Sequence, residues 1–533
     1  MNLCGKLFAP PMMVAWPLLG AFLMAPAAKI GKWARGTVFL LVLALGAWAA
    51  ACTADGVLGD DCGCLGYWVF GAGAGDGLKP AGASVPVRIV FQIDAAGAVM
   101  LLVAAVASLA AGVVSLKSEA GATGRTGFHA LFLLLVAGVY GMCATGDAFN
   151  LFVFLEITSL AGAAIAAYRV DGGLATEAGL KYAAISSLAG LSFLMGVGLL
   201  LAQHDALNIA ALSAGFAANG LTKLDLAALA LMAAPLAMKC GAVPMHHWMP
   251  DVYSRAPTPG SAFLLVSSQA SLFALFRVAF SLYGLAAPHR ALEVLGWAVV
   301  ATAVASMFIG VTMALAQHDV KRLIAHHGVS QTGYMLLGAG VCLVVAGRPG
   351  AVADFGRDAL AGSLFHVLNY AVYNGLLFLA AGAVIWSTGR RDLNALGGLG
   401  RKMPFTMLCF GIGALAIAGI PPMNGFASKW VLYETVFRFS PVLSVVAMVV
   451  SLLTLASFVK VFQAMFLGPE MKAHAAAREV PWPWLAAMWA LAVLSVLIGL
   501  FPGWMMDHLM RPAADALLNA SGYADWMLPK GGF

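Results

Sequence analysis

The sequence predicts an all-α polytopic membrane protein with about fourteen transmembrane helices. Three observations point there. Of 533 residues, 62% are hydrophobic and only 10% charged, with a mean hydropathy of +0.90, whereas soluble domains carry about 25% charged residues. Apolar runs recur along the chain at roughly the 20 residues a helix needs to cross a bilayer. Charges and prolines then fall inside those runs, in a repeated arrangement.

The runs lie near 11–28, 36–54, 89–114, 127–145, 148–168, 180–203, 225–247, 260–284, 291–316, 323–347, 359–386, 404–437, 441–467 and 484–506. The longest polar insert, roughly 55–88, leaves no room for a soluble domain. The eight cysteines are scattered apart from "CGC" at Cys62–Cys64, with no spacing for zinc, an iron–sulfur centre or c-type haem. A net charge of +6 on this length points to neither nucleic acid nor a polybasic lipid patch.

Charge asymmetry predicts the orientation. Only Lys6 precedes the first run, whereas Lys29, Lys32 and Arg35 follow it, which favours a retained helix over a cleaved signal peptide. Sixteen of the thirty Lys and Arg fall on the side of the 29–35 loop, ten on the other side and four within runs. The positive-inside rule then puts both termini outside the cytoplasm.

Glu156 sits near the middle of the fifth run, in "FNLFVFLEITSLAGAAIAAY". Lys239 and Lys429 lie in the seventh and twelfth, beside "GAVP" and "GIPP". A charge at bilayer depth costs about 2.5–3.5 kcal/mol or more, so these three need partners, water or a task. One reading is a structural Glu156–Lys239 ion pair. The other is a proton relay: charges about 4 Å apart interact by about 4 kcal/mol at an effective dielectric near 20. Moving Glu156 toward or away from Lys239 would then switch the lysine between holding and releasing a proton.

The prolines supply hydration. Pro244 leaves the carbonyl of Cys240 without a helical donor, and Pro421 and Pro422 do the same for Ile417 and Ala418. Freed backbone is tolerated at depth only where protein or water satisfies it. Paired Pro-broken segments five runs apart also point to an inverted-repeat transporter with its site at mid-membrane. His246, His247, His326, His327 and His366 lie in or near runs and suit either proton transfer or helix–helix hydrogen bonding. Asp94 in "VFQIDAAG" reads as a structural polar contact. No nucleotide, flavin or metal motif is visible, so no cofactor is expected on this chain and redox chemistry would belong to partners.

Four segments together carry a family resemblance: "TGDAFNLFVFLEI", "KCGAVPMHHWMPDVYSRAPTPGSA", "QHDVKRLIAHHGVSQTGY" and "IAGIPPMNGFASKW". They resemble the antiporter-like subunits of respiratory complex I, of Mrp-type cation/proton antiporters and of membrane-bound hydrogenases, over roughly residues 85–470. "GDAFNLFVF" leans toward the Mrp D and hydrogenase branch. The resemblance implies fourteen helices, inverted repeats of helices 4–8 and 9–13, and breaks in helices 7 and 12. It implies a chain divided at 1–126, 127–284, 285–467 and 468–533, the middle two segments being half-channels. It also implies proton-relay roles for Glu156, Lys239, His327 and Lys429.

Two helices depart from the family pattern. The eighth-helix lysine of the family falls on Gln269 or, counted from "APTP", on Ala270. The eleventh helix has Tyr370 and Asn374 where the family pattern has His and Lys. Gln269, His366, Asn374 and His246 are therefore the weaker candidates, as neutral groups lining a hydrated axis. The resulting expectation is a subunit that translocates H⁺, alone or coupled to Na⁺. Its partners would be other membrane subunits of one complex, driven by a peripheral redox module or an opposing ion gradient. A structural subunit with an incomplete proton path, and a stand-alone ion or solute permease, are the alternatives.

Overall fold

A computed structural model describes residues 10–59, 63–68, 89–118, 124–169, 173–286 and 290–527; Cys62 and part of the long polar insert lie outside them. Twelve helices among the described residues are long and apolar enough to span a membrane. They are α1 (Pro10–Ile30), α2 (Lys32–Leu58), α3 (Ala95–Ser115), α4 (Arg125–Ala144), α5 (Ala148–Ala166) and α6 (Gly173–His204). After them come α8 (Thr258–Leu282), α9 (Arg290–Leu315), α10 (Val320–Val345), α11 (Pro349–Thr388), α13 (Pro441–Leu467) and α14 (Trp482–Leu500).

The seventh and twelfth runs are broken helices: α7a (Lys223–Lys239) with α7b (Trp248–Arg255), and α12a (Pro404–Ala418) with α12b (Asn424–Phe439). Among the described residues these make fourteen, with breaks in the seventh and twelfth, as the sequence predicts. Two of the sequence-predicted boundaries differ. Residues 90–94 of the third run form a strand, β2 (Val90–Asp94), paired antiparallel with β1 (Cys64–Trp68), and α3 begins only after it. The β-branched and aromatic Val90, Phe91 and Ile93 favour that extended form, and the Asp94 side chain then caps α3 through the Gly97 N–H at 2.9 Å.

The breaks also begin earlier than the prolines suggested. α7a stops at Lys239 because Gly241 is left-handed (φ 81°), and α12a stops before Gly419 (φ 78°). In each, the next N–H closes back five residues: Ala242 to Ala237 O and Ile420 to Leu415 O, both 3.0 Å. This is the glycine-terminated helix end; the prolines that follow prevent the helix from resuming.

The centre of the molecule is α8, α10 and α11. The most apolar stretch of α8 and of α10 is entirely buried, against 33% in α13. α9 lies close along α10, with Gly296, Gly310, Gly333 and Gly340 at positions where a Cβ would meet the facing helix within 3.0 Å. Small residues that bring backbones together are how helices associate in lipid, where apolar burial drives little. Polar side chains on the central helices therefore sit deep inside: Gln269, His327, Gln331, His366, Asn369 and Asn374 are each no more than 2% exposed.

Candidate functional site

The first half of the site is built by three helices. α5 contributes Glu156 and Ser159, α6 contributes Tyr182, and α7a ends on Lys239. Lys239 is 2% exposed. Its ammonium donates to Ser159 Oγ and stands 5.3 Å from the centre of the Tyr182 ring, a cation–π distance. Glu156 is nearby, but among the described residues no ion pair joins it to Lys239, and its buried Oε1 has no hydrogen-bond partner. The carboxyl points instead toward α6, where Gly190 leaves space for it. The simple ion-pair reading of these two residues does not match this geometry.

The second half repeats the recipe with a different donor set. Lys429, on α12b and 1% exposed, donates to Ile417 O at 2.7 Å and Ser451 Oγ at 2.8 Å. It lies 4.7 Å from the Tyr334 ring centre. Thus one of the carbonyls that the helix break frees is taken by the lysine itself. The freed Cys240 carbonyl accepts from Thr332 Oγ1 at 3.3 Å. Tyr433 and Tyr334 also bond Ser451.

The central helices bury further neutral polar groups. Gln269 Nε2 on α8 donates to Val367 O of α11 at 2.7 Å, leaving its Oε1 without a partner. His366 bridges Ser428 Oγ (2.9 Å) and Gln331 Oε1 (3.1 Å), with the Tyr373 hydroxyl at 3.3 Å. Because Ser428 precedes Lys429, His366 belongs with the second lysine. Both polar side-chain atoms of Asn374 are buried and unpartnered. His327 Nε2 pairs with Ser457 Oγ of α13 at 2.9 Å, and its Nδ1 has no partner.

His246 stands beside His247, ring centres 4.3 Å apart, next to the first break; neither it nor His326 joins the lysines through any hydrogen bond. Asp94 forms a two-pronged pair with Arg277 and bonds neither lysine. Among the described residues no three His, Cys, Asp or Glu converge in a way that could hold a metal.

Sequence reasoning missed Ser159, Tyr182, Gly190, Tyr334 and Ser451. For α6 a signal existed: Tyr182, Ser186 and Gly190 recur every four residues, which places them on one helix face, and all three are buried. Ser451 and Tyr334 carry no such mark, since they meet Lys429 from two other helices.

Buried polar atoms usually find partners. Glu156, Gln269, His327, Gln331, Asn369 and Asn374 are among the described residues with a buried polar atom that has no protein partner, and each of these groups offers a donor or acceptor.

Comparison with known proteins places this architecture. Residues 145–454, more than half of the chain, match the family model described as NADH:quinone oxidoreductase/Mrp antiporter, TM. NADH-quinone oxidoreductase subunit N of Desulforudis audaxviator is 37% identical over 72% of this chain and 76% of its own length. Hydrogenase-4 component B of Escherichia coli is 30% identical over 80% of this chain and 64% of its own. A Na(+)/H(+) antiporter subunit of Alkalihalophilus pseudofirmus is 28% identical over 83% and 86% respectively. A chain of the Mrp complex from Dietzia sp. DQ12-45-1b superposes with a TM-score of 0.84 at 26% identity, covering 99% of this chain and all of that one. The relatives thus span all three branches that the motifs resembled, and the solved neighbour is a chain of a multi-subunit membrane complex. This chain belongs to the NADH:quinone oxidoreductase/Mrp antiporter family of membrane subunits.

Proposed function

We propose that this chain is the proton-translocating membrane subunit of a multi-subunit complex, with Glu156, Lys239, His327 and Lys429 exchanging the proton. Gln269, His366 and Asn374 would line the hydrated segment between the two lysines, and His246 would lie at its edge beside the first break. The observation that carries this reading is the setting of Lys239. It is a buried ammonium at a helix break, held by one neutral hydroxyl and a ring face, with an unpaired carboxyl close by. A lysine bound only by neutral groups can give up its proton without breaking an ion pair, and a carboxylate within a side-chain swing can restore its charge.

The two segments 127–284 and 285–467 would then act as half-channels joined across α8 and α11. Positive-inside asymmetry puts both termini on the extracytoplasmic side. Names of relatives support H⁺, alone or exchanged for Na⁺, as the cargo, and a redox module on other chains or an ion gradient as the driver.

The test is coupled ion translocation by the assembled complex in vesicles carrying Glu156→Gln or Lys239→Ala. Loss of translocation at normal assembly is expected; full translocation by both variants overturns the relay. A second reading, a structural subunit with an incomplete path, is favoured by Gln269 and Asn374, which cannot hold a charge. Under it, both variants assemble and the complex translocates as before.

A further inference from the structure

Helices α5 and α6 approach closely through small residues, but their glycines do different work. An added Cβ at Gly179 would strike the Ala167 Cβ at 2.6 Å and the Ala163 carbonyl oxygen at 2.8 Å. That glycine lets the two backbones meet. Gly190 is different. An added Cβ there would stand 1.7 Å from Glu156 Oε1, and its three nearest neighbours are all carboxyl atoms of Glu156. What Gly190 accommodates is therefore the far end of a flexible side chain, not the partner helix. Gly190 is buried and lies one turn beyond Ser186 and two beyond Tyr182, whose ring covers Lys239. The notch thus opens on the same face of α6 as the lysine's aromatic neighbour.

In the notch Glu156 Oε1 makes no hydrogen bond, and Lys239 is left to Ser159. No hydrogen bond fixes Oε1 there, so the space left by Gly190 is what admits the carboxyl to that position. We propose that Gly190 is a positioning residue for the relay: its notch receives the Glu156 carboxyl in the position withdrawn from Lys239, so that the lysine can alternate between Glu156 and Ser159. This rests on the relay reading above. Filling the notch leaves the helix packing intact, because only the flexible carboxyl must move, but it removes the withdrawn position.

The experiment measures translocation and assembly for Gly190→Ala, Glu156→Asp, the double variant Gly190→Ala/Glu156→Asp, and Glu156→Gln, all in the intact complex. Gly190→Ala should assemble as wild type and lose about tenfold to a hundredfold in translocation, the scale on which an ångström of misplacement acts. The shorter aspartate draws the carboxyl back by one methylene, so the double variant should translocate several-fold faster than Gly190→Ala. That rescue would not occur if glycine were needed only for backbone approach. Wild-type translocation by Gly190→Ala overturns the proposal, as does a loss of activity or assembly that aspartate leaves unrelieved. If Glu156→Gln translocates normally, the relay itself falls; if it is inactive while Gly190→Ala is normal, only the notch falls.

Discussion

Lys429 reaches back across the break in its own helix to the carbonyl of Ile417, 2.7 Å away, and shares Ser451 with two tyrosines. Lys239, at the other break, holds one serine and one ring face and has a carboxyl within reach. The second lysine therefore has a backbone acceptor, whereas the first has an acid side chain nearby. Such an acceptor cannot follow a proton, so Lys429 depends more on its hydroxyl neighbour. Lys429→Ala should abolish coupled translocation. Ser451→Ala should lower it about tenfold or less while costing roughly 1 kcal/mol of stability for the lost hydrogen bonds. Proton-flux measurement on assembled complex separates the two; wild-type flux in Ser451→Ala would show that the hydroxyl is only structural.

Asn374 provides a test of the hydrated axis. Neither polar atom of its side chain has a protein partner although the residue is fully buried. Replacing it with leucine breaks no hydrogen bond of ordinary geometry and removes a buried amide, with only the weak approach of Tyr370 lost, which is neutral or stabilising. Asn374→Leu should thus keep or raise thermal stability yet, under the proposed relay, lower translocation by more than about tenfold, because it would remove a polar group from the segment between the two lysines. Unchanged flux in a stable Asn374→Leu complex would remove Asn374 from the path.

Arg277 and Asp94 make a different prediction. Their two bonds of 2.5 and 2.7 Å are buried, with Arg277 lying 5.0 Å from both the Phe273 and Tyr523 rings. The pair joins α8, the β-hairpin end and the C-terminal helix Ala520–Met527. Removing one partner of a buried pair costs about 3–5 kcal/mol, whereas replacing both by apolar groups is often neutral. Asp94→Leu should lower the unfolding temperature of the purified complex sharply, and Asp94→Leu/Arg277→Met should recover most of the loss. A double variant as unstable as the single would mean that the pair has a role beyond charge balance.

Asp147 gives the pH dependence. It caps α5 through the Asn150 N–H at 2.7 Å, and burial pushes its carboxyl up from 3.8 to about 7 despite the pull of the Asn150 and Phe149 N–H groups. The folded chain therefore keeps a proton that the unfolded chain releases above about pH 4. This contribution is fully present below that pH and is lost as pH rises through about 7. Asp147→Asn, which still caps the helix, should flatten the fall in stability between those limits. The check is thermal unfolding of the two proteins across that range; parallel curves would assign the fall to other groups.

The sequence by itself determined the membrane class, the fourteen helices, the two breaks and the positions of Glu156, Lys239 and Lys429. Each of these is local: apolar length sets a span, and Gly and Pro within a span set a break. A charge in such a span stands out because burial makes it costly. The β-hairpin start of the third run escaped because Val90, Phe91 and Ile93 continue the apolar run that follows and suit a strand or a helix alike. Tertiary structure alone decided what each charge touches. Ser159, Tyr182 and Gly190 reach Lys239 and Glu156 from neighbouring helices, and Tyr334 and Ser451 surround Lys429 from two others. Hydrogen-bond partners at a helix–helix contact depend on rotation and approach of whole helices, which apolar periodicity constrains only weakly when every face of a helix is hydrophobic. So which way the Glu156 carboxyl turns, toward Lys239 or toward α6 at Gly190, was decided by how whole helices pack.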